Sequence, residues 1–184
     1  MVGIVVVTRA ALLIARRTST WTIDARLAGL SPACVAVDPR TPAQVYCGTP
    51  RDGLFRSRDS GRNWEPTGAG IDHPMITAVD VGHAGQADGF GLVYAGTEPS
   101  ALFRSDNGGE SWVDLAGLRA LPSADTWSFP PRPQTHHVRW IEADVSAADR
   151  VFVAIEAGAL VRTFDGGRTW RDRVRGGRTT RTRR

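Results

Sequence analysis

Residues 53–64 read GLFRSRDSGRNW, and two further segments align with them without gaps, SALFRSDNGGESW at 100–112 and ALVRTFDGGRTW at 159–170. All three contain the pattern Ser/Thr-x-Asp/Asn-x-Gly-x-polar-Trp. The defining positions are Ser57, Asp59, Gly61 and Trp64; Ser105, Asn107, Gly109 and Trp112; and Thr163, Asp165, Gly167 and Trp170. Three copies of this length indicate an internal repeat.

The spacing of the repeat predicts a propeller blade. The three tryptophans that end the boxes are 48 and 58 residues apart, the size of one four-stranded blade with its loops. Period-two patterns bounded by Gly, Pro and Asp predict four strands in each repeat, the fourth near residues 62–66, 110–114 and 168–172. Residues 3–23, GIVVVTRAALLIARRTSTWTI, resemble a degraded box unit that ends in Thr20-Trp21. The sequence therefore predicts an all-β fold, a partial β-propeller of about three four-stranded blades plus a degraded N-terminal blade element.

The chemistry of the box favours a structural role. An Asp or Asn side chain at a turn accepts hydrogen bonds from backbone N–H groups, and Gly supplies the positive φ that such a hairpin requires. The Trp that follows is expected to bury its ring between neighbouring sheets. Asp59 and Asp165 are thus interpreted as turn acceptors and not as catalytic carboxylates. Asn107 at the equivalent position agrees, because an amide caps a turn but does not replace a carboxylate in acid–base catalysis.

This pattern resembles the Asp-box (BNR) repeats of sialidases, sortilin-type receptors, photosynthetic assembly factors of the same repeat class and many bacterial glycosyl hydrolase-like proteins. The resemblance covers roughly residues 1–172. It implies a box between the third and fourth strands of a blade, on the face away from the ligand site. Because the class contains enzymes, receptors and assembly factors, the resemblance implies a fold but no single activity.

The catalytic set of a sialidase is not recognisable here. That family carries an Arg triad with a Phe/Tyr-Arg-Ile-Pro segment and a Tyr–Glu nucleophile pair. The FRSR and FRSD segments belong to box hairpins, and the two tyrosines, Tyr46 and Tyr94, stand at equivalent inner-strand positions where packing explains them. Two functions remain: a non-catalytic interaction scaffold or a truncated remnant of a BNR-repeat protein, and alternatively a sialidase-like hydrolase acting on glycans. The scaffold is favoured, and the catalytic residues of a hydrolase stay unknown.

The longest loop on the face opposite the boxes is the expected place for a ligand. Residues 115–137 depart from the other repeats in length and contain TWSFPPRPQTHH at 126–137. The candidate ligand-face residues are Trp127, Arg132, His136, His137 and Arg139. The alternative is that Trp127 and Phe129 cap the blade and that the two histidines are solvated. No Cys or carboxylate cluster completes a zinc set around the histidines, so neither a metal nor another cofactor is expected.

The charge of the chain is concentrated at its C-terminal end. The 23 basic residues are all Arg, and seven of them lie in the last fourteen positions. Residues 1–170 hold 16 Arg and 18 acidic residues, a net charge of −2. A body without a basic surplus argues against a specific nucleic-acid module. Residues 173–184 are predicted to be a basic, disordered tail, and residues 1–172 the partial propeller domain.

The apolar patterns and the cysteines indicate a soluble protein, expected to be cytoplasmic. Residues 1–15 are interpreted as two short strands and not as a signal peptide, because Thr8-Arg9 interrupts the apolar run and no positive segment precedes it. The apolar segments are too short to cross a membrane. Cys34 and Cys47 lie in apolar runs, which favours buried thiols over a disulfide.

Three blades and a fragment do not close a ring, because propellers have about four to eight blades. The sequence leaves two explanations open. One is a homodimer that completes the ring, and the other is a chain that lacks blades of a longer gene. The segment RGGRTTRTRR at 175–184 favours a frameshifted C-terminus as a hypothesis, with a genuine basic tail as the alternative. Any protein or glycan ligand is unknown at this stage.

Overall fold

The structure is a computed structural model that describes residues 2–85, 89–132 and 134–173. Of the predicted tail at 173–184, residues 174–184 lie outside the described residues, as does the hypothesis of a frameshift. The part of the chain that the structure describes has no helix with the length and apolarity that a membrane crossing requires.

The described residues form strands that are grouped into four antiparallel sheets, which we number in chain order. Sheet 1 contains β1 (Val2–Val7), β2 (Leu12–Arg17) and β3 (Trp21–Arg26). Sheet 2 contains β4 (Cys34–Val37), β5 (Val45–Gly48), β6 (Leu54–Ser57) and β7 (Glu65–Pro66). Sheet 3 contains β8 (Ile76–Gly85), β9 (Gly91–Thr97), β10 (Leu102–Ser105) and β11 (Val113–Asp114). Sheet 4 contains β12 (Val138–Ala143), β13 (Val151–Ile155), β14 (Leu160–Thr163) and β15 (Arg171–Arg173).

Every sheet is an up-and-down meander in which each strand pairs with the next one along the chain. This is the topology of a propeller blade, so the prediction of three four-stranded blades and an incomplete N-terminal element is confirmed. The fourth strands begin later than predicted, at residues 65, 113 and 171. The reason is that the turn with the box runs on as far as the Trp, which leaves only two or three residues to pair.

The three box turns are residues 57–64, 105–112 and 163–170, each between the third and fourth strands of its sheet. In the first, Asp59 Oδ1 accepts hydrogen bonds from the backbone N–H groups of Arg62 and Asn63, both at 2.9 Å. Ser57 Oγ accepts from the N–H of Gly61, whose φ is +82°. Two of these bonds recur in the other boxes: Ser111 N donates to Asn107 Oδ1 at 3.0 Å and Thr169 N to Asp165 Oδ1 at 2.9 Å, and the N–H of the conserved Gly donates to the hydroxyl of Ser105 or Thr163.

These bonds also fix the charge of the two box aspartates. The backbone N–H of Asn63 lowers the pKa of Asp59 to about 2, and the hydroxyl and N–H of Thr169 lower that of Asp165 to about 2. Both carboxylates are therefore ionised, with oxygens that already accept turn donors. Such groups neither donate nor take up a proton near neutral pH.

An arginine joins each sheet to the box turn of the next sheet. Its guanidinium donates to the carbonyl oxygen of the residue that precedes the conserved Gly of the box. That residue is Ser60 in the first box and a second Gly in the other two. The three junction arginines and their bonds are Arg16 to Ser60 O at 2.7 Å, Arg56 to Gly108 O at 2.6 Å and Arg104 to Gly166 O at 3.1 Å. Charged donors to a carbonyl make stronger hydrogen bonds than neutral ones. The junctions between sheets are therefore polar as well as apolar.

The apolar core lies between consecutive sheets. Tyr46 packs in the layer between sheets 2 and 3, and Tyr94 in the layer between sheets 3 and 4. Trp112 and Trp170 are buried, and Trp112 Nε1 donates at 2.6 Å to the carbonyl oxygen of Thr67, the residue directly after β7 of sheet 2. The tryptophan of the first box, Trp64, is only half-buried. The prediction that each box tryptophan is buried between sheets therefore fits the second and third boxes better than the first.

Sheet 1 departs from the predicted box unit. A turn of three residues, 18–20, joins β2 to β3, so no box forms there. Trp21 stands at the start of β3, on the face turned away from sheet 2, and is exposed, unlike the tryptophans of the later boxes. The face turned toward sheet 2 carries Ile14, whose methyl group packs against Gly61 of the first box.

Candidate functional site

The ends of the sheets opposite the box turns form a surface that we call the loop face. Antiparallel pairing puts alternate connections at opposite ends of a sheet. The loop face therefore consists of the connections between sheets, the loop between β1 and β2, and the loops between the second and third strands of sheets 2 to 4. The connections are residues 27–33, 67–75 and 115–137, and the loops are residues 8–11, 49–53, 98–101 and 156–159.

The long connection 115–137 is anchored in the core between sheets 3 and 4. Leu118, in a short 3-10 helix, is fully buried. Trp127 is 5 % exposed and lies against Gly158 of the loop after β13. Its ring makes an edge contact with His136 at 5.6 Å between centroids. Trp127 therefore does not line the ligand face as predicted, because the indole fills the space above the sheets and acts as a cap.

Five charged or titratable side chains meet on the loop face, and we call them the charge cluster. Arg132 Nη2 lies 2.8 Å from Oε2 of Glu98, a buried carboxylate in the loop after β9. His137 lies between two carboxylates, with Nε2 2.9 Å from Glu156 Oε2 and Nδ1 3.6 Å from Glu98 Oε2. Arg139 Nε lies 3.3 Å from the same oxygen of Glu156. The cluster ties the connection 115–137 to the loops of sheets 3 and 4.

His136 stands beside the cluster but is not part of it. Burial lowers the pKa of this histidine from its ordinary value, an effect that the charge of Glu98 opposes. Its Nδ1 is buried without a hydrogen-bond partner. We therefore assign His136, neutral at pH 7, to the packing around Trp127. Arg132, His137 and Arg139 are the predicted ligand-face residues that the structure brings together.

The innermost strands of sheets 2, 3 and 4 border a concave surface, which we call the inner groove. It has a cavity of about 300 Å³ lined by residues 33–37, 77–80 and 139–141. β12 is irregular between Val138 and Trp140, and both Arg139 and Trp140 are exposed there, Trp140 by 64 %. Arg139 therefore belongs to the inner groove and to the charge cluster, so the two surfaces are continuous.

Asp80 also lines the inner groove. Burial raises its pKa, while the N–H of Ala143 opposes the shift by donating to Asp80 Oδ2 at 2.8 Å. This bond joins β8 of sheet 3 to β12 of sheet 4. A carboxylate with a raised pKa in a cleft is a common sign of a functional site, but a bond to the neighbouring sheet gives Asp80 a structural task.

Sequence reasoning missed the two carboxylates of the charge cluster, Glu98 and Glu156. A signal was present, because both directly follow the second strand of their sheet, in VYAGTE and in VFVAIE. The equivalent residue of sheet 2 is Pro50. A carboxylate at one structural position in two repeats is a feature that packing alone does not require.

The bonds within the charge cluster limit its chemistry. Glycoside hydrolysis needs one protonated carboxyl group and one carboxylate that faces the sugar or a water molecule. Here the Oε2 atom of Glu98 is bound by Arg132 and that of Glu156 by His137 and Arg139. Within the described ranges, no group of three or more His, Cys, Asp and Glu side chains is arranged to hold a metal ion. The arrangement is suited to binding and to holding loops in place.

Comparison with known proteins identifies the fold but no family. No family model matches the chain, and no curated protein matches it. YCF48 from Cyanidioschyzon merolae is a similar solved structure, with a TM-score of 0.56 and 19 % identity over 79 % of this chain. A structure of YCF48 bound to D1 peptide has a TM-score of 0.53 and 21 % identity over 77 % of this chain. The GH74 xyloglucanase from Xanthomonas campestris has a TM-score of 0.54 and 16 % identity over 91 %.

The chain spans only part of each of these proteins: 37 % and 38 % of the two YCF48 chains and 27 % of the xyloglucanase. Such low identities support a common fold and no shared activity. Together with the four meander sheets, the comparisons show that this chain has the fold of a β-propeller.

Proposed function

We propose that this chain is a non-catalytic interaction scaffold of the Asp-box (BNR) repeat class, which binds a polypeptide segment of a partner protein across the loop face and the inner groove. One observation carries this proposal. The charge cluster holds three loops together and leaves Arg139 and Trp140 exposed beside a groove. Loops that are held before binding lose little entropy on association, and Arg and Trp are enriched among residues that dominate binding energy.

The charge of the exposed groups favours an acidic peptide. The side chains of Arg139 and Arg132 are 67 % and 46 % exposed, whereas the carboxylates that pair with them, Glu156 and Glu98, are 36 % and 7 % exposed. A carboxylate of the partner would meet these two guanidinium groups, and an apolar side chain would lie on Trp140. The similar structure of YCF48 bound to D1 peptide supports a peptide as the ligand class.

The experiment is a selection of peptides from a random phage-displayed library on the full chain. Affinities of the enriched peptides are then measured by fluorescence anisotropy. We expect acidic peptides, and a loss of at least about tenfold in affinity for Arg139→Ala and for Trp140→Ala. Arg150→Ala is the matched control, since Arg150 is also exposed but lies at the opposite end of sheet 4. Peptides that bind all three variants equally well would contradict the proposal.

The glycan-active hydrolase is the second candidate, because Glu98 and Glu156 flank His137 next to the inner groove. The GH74 enzymes among the similar structures support the same candidate. Fluorogenic sialosides and xyloglucan oligosaccharides distinguish the two functions. Turnover that co-purifies with the chain and disappears in Glu98→Gln would favour the hydrolase.

A further inference from the structure

We call the face of sheet 4 that is turned away from sheet 3, and the face of sheet 1 that is turned away from sheet 2, their outer faces. The outer face of sheet 4 has the same pattern of residues with which sheets 2 and 3 pack against the next sheet, but here it is exposed. Leu54 and Leu102 occupy equivalent positions at the start of β6 and β10 and are buried, 1 % and 0 % exposed. Leu160 at the start of β14 is 53 % exposed. Phe164 in the third box turn is exposed as well. An apolar position that is buried in two repeats and open in the third marks an interface without its partner.

Arg162 is the polar counterpart of this open surface. It stands where Arg56 and Arg104 stand in sheets 2 and 3, two residues after the equivalent leucine. Arg56 and Arg104 donate to a turn carbonyl of the next sheet. Arg162 is exposed and lies over the ring of Phe164, with no such carbonyl among the described residues. The fourth junction arginine is therefore present without its acceptor.

The other end of the sheet row carries a second uncovered apolar face. On sheet 1, the side turned away from sheet 2 exposes Ile4, Val6, Trp21 and Ile23, the last by 67 %. Strand register puts Ile4 and Ile23 on the same face, through their common neighbour Ala15. Since this face and the face of Leu160 are both exposed, the two ends of one chain do not cover each other.

We propose that the two end faces bind each other between two copies of this chain, so that the outer face of sheet 4 docks on the outer face of sheet 1 of the second copy. In this contact Arg162 donates to a carbonyl of the partner's β2–β3 turn, at residues 18–20. Two copies contribute eight sheets, within the range of about four to eight blades that close a propeller. Each copy carries one face of either kind, so a ring of two copies makes this heterologous contact twice and leaves no apolar end face open.

The junctions between consecutive sheets indicate why a second copy of this chain fits these two faces. The same chemistry, an Arg–carbonyl bond beside a buried aliphatic side chain, joins each pair of consecutive sheets within the chain. Both halves of one further junction are present on one molecule, at opposite ends. The inference is independent of the ligand of the loop face, and its failure would leave the proposed scaffold function untouched.

Sedimentation equilibrium of the full chain, from about 1 to 100 µM, is the first measurement. We expect a species of twice the chain mass that becomes monomeric in Leu160→Asp and in Ile23→Asp. Val145→Asp is the matched control, because Val145 is equally exposed but lies between β12 and β13, away from both end faces. Circular dichroism checks that each variant remains folded, as expected for substitutions of exposed side chains.

Mixing the two variants tests the head-to-tail arrangement. Each variant keeps one intact end face, so Leu160→Asp and Ile23→Asp together are expected to form a mixed dimer that neither forms alone. A wild-type chain that stays monomeric at 100 µM would overturn the proposal. So would a dimer that persists in both variants, a mixture that stays monomeric, or an open-ended series of larger species.

Discussion

Arg56 and Arg58 contact the same two glutamates but are expected to differ in their contribution to stability. Both lie within hydrogen-bond distance of Oε1 of Glu65 and of Glu110. The side chain of Arg56 is 5 % exposed and that of Arg58 is 50 % exposed. Only Arg56 donates across the junction to Gly108 O, at 2.6 Å.

The expected magnitude follows from what each substitution leaves behind. Arg56→Met keeps most of the apolar stem but removes a charged donor from a buried carbonyl, which costs about 1.5–3 kcal/mol. The glutamates are solvated and keep Arg58, so they add little. We expect a loss of roughly 2–3 kcal/mol for Arg56→Met and less than about 1 kcal/mol for Arg58→Met.

Urea unfolding followed by tryptophan fluorescence measures both variants against the wild type. The midpoint should fall for Arg56→Met while the dependence on urea concentration keeps its slope, since the surface exposed on unfolding does not change. Equal losses in the two variants would refute the reasoning, and so would a larger loss for Arg58→Met. Either result would mean that the ion pairs, and not the carbonyl of the next sheet, carry the contribution.

Three further predictions concern the box turns and the core. The lowered pKa values of Asp59 and Asp165, about 2, give stability that is present above pH 4 and is lost as the pH falls toward 2. A double Asp→Asn variant should therefore lose less stability than the wild type in urea titrations between pH 4 and 2, and an equal loss would contradict this. Trp112→Ala should cost about 3–5 kcal/mol and more than Trp64→Ala, whose ring is half-buried, as thermal unfolding would measure. Burial raises the pKa of Cys47 to about 12, so mass spectrometry should show no alkylation of this thiol by iodoacetamide at pH 8 until urea is added.

Much of the fold could be predicted because it depends on local chemistry. The Gly at positive φ and the Asp or Asn acceptor of each box act within a few residues, so the sequence shows them directly. The meander order follows from short connections between consecutive strands. The start of each fourth strand was predicted too early. An alternating pattern does not reveal that the box Asp or Asn binds the N–H group four residues ahead, which keeps these residues in the turn.

The candidate site was predicted only in part, since it depends on contacts between distant residues. Arg132 and His137 were predicted from the unusual length of their loop, and Arg139 because it follows that loop on the innermost strand. Their carboxylate partners Glu98 and Glu156 lie 34 and 19 residues away from Arg132 and His137 along the chain. Trp127 was placed on the ligand face because an aromatic residue in a loop has the same pattern whether it binds a ligand or fills a core.

The junction arginines have a consequence for how such a chain changes by duplication. Each of Arg16, Arg56 and Arg104 binds a backbone carbonyl of the next sheet, which every residue has, and Arg56 also pairs with a side chain there, Glu110. Removing the whole of sheet 3 would bring Arg56 opposite Gly166, an acceptor of the same chemistry as Gly108. A gene that gains or loses one repeat of this kind therefore keeps an acceptor for the Arg–carbonyl bond at the new junction, whereas the ion pair of Arg56 with Glu110 depends on the side chain that follows the conserved Gly.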